Sequence, residues 1–215
     1  MRCLAGHSLI GLAGMVLARL SFIDQAIIST DSADYAREAE RYGLAAPFLR
    51  PDDLSTDAAI AIDVVAHGLA AMEQADGRQY DSVLIIEPTS PLRLPSDVMA
   101  TAALLFDEAA DSAVTVSAVP ARYHPLKQVS RHDNRLKPFL AEGATVTNRQ
   151  ALSSLYWRNG VTYALTRDSI LDQRVISGRH TVGLITDHPV ANIDTAEDLA
   201  WADYQIEHGM FELAS

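Results

Sequence analysis

An α/β fold with a mainly parallel sheet is predicted by three features of the chain. Short β-branched runs alternate with helical stretches, the most apolar run breaks off into a loop holding two prolines, and one irregular segment interrupts the alternation. The apolar run is Val83 to Ile86, of the branched kind that suits a strand covered on both faces. Glu87 follows at its carboxyl end, Pro88 and Pro91 forbid a continuing ladder or helix, and Thr89 and Ser90 add hydroxyls. Ligands of open parallel sheets bind at the carboxyl ends of strands, so this loop is a candidate substrate wall. A plain strand-to-helix turn, with Ser96 or Asp97 capping the next helix, accounts for the same residues.

The elements follow in order. Leu9, Leu12, Ala13, Val16, Leu17 and Leu20 recur at three-and-four spacing and predict a helix capped by Ser8. Arg19 interrupts that run before any small-x-small cleavage site, which favours the helix over a signal peptide. Gln25 to Ser29 predicts a short buried strand, and Thr30, Asp31 and Ser32 supply caps for a helix from Ala33 to Tyr42 that Gly43 ends. In the acidic loop from Pro47 to Asp57, Arg50 can grip a carbonyl or phosphate, but the pattern favours a pair with Asp52 or Asp53. Ala58 to Ala75 predicts a helix whose apolar face carries Ile60, Val64, Val65, Gly68, Leu69 and Met72. His67 within it is expected to be structural.

Beyond the proline loop, Ser96 to Ala109 predicts a helix and Ser112 to Ala118 a strand. From Val119 to Trp157 the character changes: prolines at 120, 125 and 138, basic residues from Arg122 onward, and no long apolar period. A hairpin joining Lys127–Val129 to Leu136–Phe139 around Asp133 and Asn134 is expected there. Tyr156 and Trp157 suit either a dimer interface or packing beneath the loop. Asn159 and Gly160 predict a tight turn into a strand from Val161 to Leu165, followed by a short helix near Arg167 and a last strand from Thr181 to Ile185. Asp187, Asn192 and Asp194 precede a terminal helix from Thr195 to His208. Asp194 is either half of a capping box with Glu197 or, as an oxygen ligand beside phosphates, part of a magnesium site.

Composition narrows the function. The net charge of −11 repels polyanions, which argues against nucleic acid and anionic membrane as partners. One cysteine leaves no internal disulfide and no CxxC metal site, which suits a reducing, cytoplasmic setting.

Several stretches together resemble the acylneuraminate cytidylyltransferases, which make CMP-sugars from CTP and nine-carbon acidic sugars. They are LAGHSLIG from Leu4, IISTDS from Ile27, FLRPDDLSTDAA from Phe48, IIEPTSPLR from Ile85, HPLK from His124, NRQ from Asn148, NGVTYAL from Asn159 and NIDTAEDL from Asn192. The resemblance implies a doubly wound nucleotide-binding sheet formed by residues 1–118 and 159–215, and a dimerisation excursion at 119–158. It further implies Arg50 and Ala61 at the nucleotide, Glu87, Thr89, Lys127, Arg149, Gln150 and Tyr163 at the sugar, and Asp194 with Asn192 at a catalytic magnesium ion. Lys127 and Arg149 would reach across a homodimer. The substrates implied are CTP and an acidic sugar of sialic, pseudaminic or legionaminic type.

Departures from the family pattern are specific. Its amino-terminal strand and basic A-R-x-G-S-K loop are missing, and Met1 and Arg2 fall just after that position, which suggests an internally assigned start or a truncated gene. A non-catalytic sugar- or nucleotide-binding dimer, or a transferase for another sugar, is the alternative that this leaves. Asn192 replaces an aspartate, Ala61 a serine, and Glu87 the glutamine of sialate-type enzymes. A carboxylate at Glu87 would repel an acidic sugar unless protonated or paired.

Overall fold

The computed structural model describes residues 2–145, 148, 150 and 152–214. The chain divides into two units, Met1–Thr115 with Asn159–Ser215, and Val116–Arg158.

The first unit opens on a two-residue hairpin, β1 (Cys3–Leu4) with β2 (His7–Ser8), turned by Ala5 and Gly6 at positive φ. Ser8 then caps α1 (Leu9–Leu17), its hydroxyl accepting the Gly11 N–H at 2.9 Å. Ser32 caps α2 (Ala33–Glu40) as expected. The strand expected over Gln25–Ser29 is instead a single parallel bridge between Ile27 and Ala45. Its apolar residues are only half buried, and the ladder extends no further than the bonds from Ile28 N–H to Ala45 O and from Ala45 N–H to Ala26 O.

The helix expected from Ala58 begins later, as α3 (Ala61–Asp76). Ile60 becomes its uncapped N-terminal neighbour and is exposed, while Ile62, Ala66, Leu69 and Met72 form the buried stripe. The His67 ring, within α3, meets Phe48 edge-on at 4.8 Å.

Next come β3 (Ser82–Ile85), α4 (Pro95–Asp107), β4 (Ser112–Ala118), β5 (Val129–His132), β6 (Arg135–Pro138), β7 (Tyr156–Thr166), β8 (Thr181–Ile185) and α5 (Ala196–Glu207). Strands β3, β7, β4 and β8 form a sheet in that order, with β3 antiparallel to β7. Its two faces are covered by different helices. Val83, Ile85, Tyr163 and Leu165 pack with Ile62, Ala66 and Leu69 of α3, while Leu84 and Ile86 pack with Val16 and Leu20 of the α1 segment and Val98 of α4. The expected α/β architecture is thus present as a mixed sheet between helical layers. A fully buried leucine such as Leu105 or Leu165 contributes about 2 kcal/mol to it.

Asn159 and Gly160 do not form a turn. They lie inside β7, which runs unbroken from Tyr156 to Thr166. The Asn159 side chain is buried, accepting the Val161 N–H and donating to Thr186 Oγ1, so bonds distant in sequence override the local turn preference.

In the second unit, β5 and β6 form the expected hairpin around Asp133, with Val129, Leu136 and Phe139 exposed. His124 is buried there and its Nδ1 accepts the Leu126 N–H. Among the described residues, no helix is long and apolar enough to cross a membrane.

Candidate active site

The loop after β3 is held from below by an arginine. Arg93 lies between Leu92 and Leu94 and is almost wholly buried at 1% exposure. Its Nε donates to the Val161 carbonyl and its Nη2 to the Glu87 carbonyl at 2.9 Å. One planar guanidinium thus ties the start of the loop to β7. Ser90, also buried, donates to the Asn159 carbonyl at 3.5 Å, and the Ser90 N–H closes a turn on Glu87 O at 3.0 Å. Gly160 is required here twice over. Its φ is +73°, and a Cβ would fall 2.6 Å from Ser90 Oγ and 3.0 Å from Glu87 Oε2.

A second loop, from Thr186 to Asp194, docks beside the first. The Ile193 N–H donates to the Thr89 carbonyl at 2.7 Å, and Ala191 and Ile193 bury in a cluster with Leu4, Leu12 and Leu92. The carboxylate of Asp194 remains exposed, accepting from Asn192 Nδ2 at 3.1 Å, while the Arg2 guanidinium donates to the Asp194 carbonyl at 3.3 Å. Of the two roles weighed for Asp194, the capping box with Glu197 does not form. Thr195 is the cap of α5, and Asp198 closes the box by accepting the Thr195 and Asp194 N–H groups. A threonine hydroxyl already serves the helix end, so the Asp194 side chain takes no part in it.

The loops share an electrostatic field. Burial pushes the Glu87 carboxyl above its ordinary range, the Arg93 charge opposes this, and the Asp194 charge adds to it. Burial also pulls Arg93 down to about 10, against the pull of Glu87 and Asp97, so it stays cationic near neutrality. No cluster of three or more His, Cys, Asp or Glu side chains able to hold a metal forms among the described residues. Magnesium is commonly bound by one or two carboxylates plus substrate phosphates, a donor set that Asp194 with Asn192 beside it fits.

Curated proteins are similar to this chain in sequence, and a solved structure is similar to it in fold. A CMP-N,N'-diacetyllegionaminic acid synthase from Legionella pneumophila is 29% identical over 201 residues, 94% of this chain and 85% of its own. A pseudaminic acid cytidylyltransferase from Campylobacter jejuni is 27% identical over 188 residues, 86% of this chain and 80% of its own. This chain is homologous to the CMP-nonulosonic acid synthases. No family model matches it. The solved structure of CMP:2-keto-3-deoxy-manno-octonic acid synthetase complexed with CTP shares the fold. Its TM-score is 0.67 at 13% identity, covering 97% of this chain and 91% of that one.

The structure distributes the other residues expected at a synthase site as follows. Arg50 pairs with Asp31 at 3.8 Å, and its Nε donates to Ser55 Oγ at 3.2 Å. The expected partners Asp52 and Asp53 are replaced because the Arg50 N–H bonds to Thr30 O at 2.8 Å, drawing its strand of loop alongside Asp31. Ala61 is exposed in the first turn of α3. Tyr163 stands opposite Ile85 on the β3–β7 pair and packs in the cluster under α3. Lys127 is exposed in the second unit, in the turn Pro125–Lys127, and Gln150 is exposed in the same unit. Arg149 lies outside the described residues.

Two features escaped the sequence. Arg93 holds the loop, and its signal was a cation between two leucines in a strand-end segment. The other is a contact between Asp97 and His188, residues far apart in sequence, which no local pattern could join.

Proposed function

We propose that this chain is a cytidylyltransferase making a CMP-activated acidic nine-carbon sugar from CTP. The sugar's anomeric oxygen forms a bond to the α-phosphorus, the bond from that phosphorus to the bridging oxygen breaks, pyrophosphate leaves, and the hydroxyl proton passes to a base. The observation that carries this reading is the bond from Ile193 N–H to Thr89 O, which brings the Glu87 loop and the Asp194 loop together at the edge where α/β sheets bind ligands. Homology with synthases acting on legionaminic and pseudaminic acids supports the choice of substrates.

Asp194 and Asn192 are the residues proposed to hold magnesium, which when bound would offset charge developing on the phosphates. Arg93 orients the loop without touching substrate, because it is buried and its Nε and Nη2 hold two main-chain carbonyls. Glu87 is proposed to face the sugar. Burial raises its carboxyl, which makes the neutral form, less repulsive to an acidic sugar than the carboxylate, easier to reach. Thr89 and Tyr163 line the same pocket in this reading, and Arg50 with Ala61 serves the nucleotide. The second unit, with Val129, Leu136 and Phe139 exposed, is proposed to pair with a second copy, carrying Lys127, Arg149 and Gln150 towards the partner's sugar.

The test is incubation with CTP, magnesium and, in turn, sialic, pseudaminic and legionaminic acids. A CMP-sugar with stoichiometric pyrophosphate is expected from at least one. Its absence with all three contradicts the proposal.

Glu87→Gln tests the charge argument separately. A carboxyl raised by folding contributes stability below the ordinary glutamate value, and that contribution is lost as pH rises through its folded pKa. Thermal scans should therefore show the glutamine variant gaining on the parent as pH rises from about 4.3 and levelling off above the folded pKa of Glu87. Parallel pH curves would contradict it.

A further inference from the structure

Three polar ties hold the segment that delivers Asp194. At its start Asn159 Nδ2 donates to Thr186 Oγ1 at 2.8 Å, and near its end the Ile193 N–H donates to Thr89 O at 2.7 Å. The middle tie is His188. Its Nε2 lies 2.8 Å from Asp97 Oδ2 and its Nδ1 2.9 Å from the Pro189 carbonyl. Both ring nitrogens face acceptors, whereas a neutral imidazole carries a single N–H. Only the imidazolium donates to both.

Asp97 is itself fixed, because the same carboxylate oxygen accepts the Leu94 N–H at 2.8 Å where α4 begins. The imidazole and carboxylate side chains are largely buried, at 18% and 11% exposure, so the pair is poorly screened. From Asp97 the chain of charges runs inward to Arg93 and on to Glu87. We propose that His188, as the imidazolium, is a positioning residue that clamps the Asp194-bearing loop to the start of α4 and so sets where Asp194 stands relative to Glu87. The inference rests on the site assignment made above.

The groups facing His188 are Asp97 from α4, Asp187 and the Pro189 carbonyl from its own loop, and the uncharged ring of Phe211 at 5.3 Å. The hydrogen bond to Asp97 raises the imidazole's affinity for its proton, burial opposes it, and the Pro189 carbonyl and the charges of Asp97 and Asp187 add to it. For a histidine raised in the folded state, the clamp is complete below the ordinary value of about 6.5 and is lost as pH rises through its own, higher pKa.

The test is His188→Gln in the full chain, which keeps a donor to Asp97 but has neither the charge nor a second nitrogen to donate to the Pro189 carbonyl. We expect kcat to fall about tenfold to a hundredfold with KM for CTP little changed. The ratio of parent to variant kcat should be widest near pH 6 and narrow as pH rises through the pKa of His188. Native-state hydrogen exchange supplies a readout without turnover. The Ile193 amide should exchange about tenfold faster in the variant at about pH 6, while amides of β4 keep their rates. A kcat ratio that does not change with pH, or an Ile193 amide that exchanges as in the parent, overturns the proposal. No turnover in the parent contradicts the proposed activity instead, and the exchange result then decides the clamp by itself.

Discussion

Replacing Asp194 with alanine is expected to lower kcat by about a thousandfold while leaving Tm within about 2 °C of the parent. The two parts of the result belong together. Thr195 and Asp198 satisfy the first turn of α5, and the exposed Asp194 carboxylate meets Asn192 in a loop already anchored by Ile193. Folding therefore asks little of this carboxylate, whereas a metal and triphosphate would ask much. Asp198→Ala supplies the contrast, because losing the closing half of the box should cost about 1 kcal/mol of stability. Steady-state kinetics beside thermal unfolding checks both variants. A large fall in Tm for Asp194→Ala with kcat unchanged would make Asp194 a structural residue.

Arg93→Met carries the largest expected effect on stability, a loss of about 3–5 kcal/mol, read as a midpoint shift in urea unfolding. Methionine fills similar space but leaves the Val161 and Glu87 carbonyls without their donor. It also removes the cation that offsets Glu87 and Asp97 in a buried setting. Arg93→Lys should recover only part of the loss, since one ammonium does not reproduce the planar fork spanning two carbonyls. Because the guanidinium ties the loop to β7, both variants should also lose turnover. A neutral effect of Arg93→Met on unfolding would contradict this account of the loop.

Where local pattern and tertiary structure agree, the sequence was sufficient. The bounds of β4 and β8 follow from alternation, and Ser8 and Ser32 announce the starts of α1 and α2. Val83 to Ile86 were legible as a strand with helices on both sides because alternate residues do pack on opposite layers. The failures share a cause, which is that a distant partner decides. Gln25–Ser29 has strand composition but finds only Ala45 to bridge. Asn159 and Gly160 read as a turn until Thr186 claims the asparagine side chain and Ser90 and Glu87 crowd the glycine. The loop of Glu87 was recognisable from its prolines, but its anchor Arg93 and the His188–Asp97 contact depend on backbone brought together from different elements.

A structure of the protein with CTP and magnesium bound tests the assignment of the site most directly. The metal should lie about 2.1 Å from an Asp194 carboxylate oxygen, with the triphosphate beside the Glu87 and Asn192 loops. Magnesium and triphosphate bound elsewhere, with Asp194 left facing solvent, would contradict it.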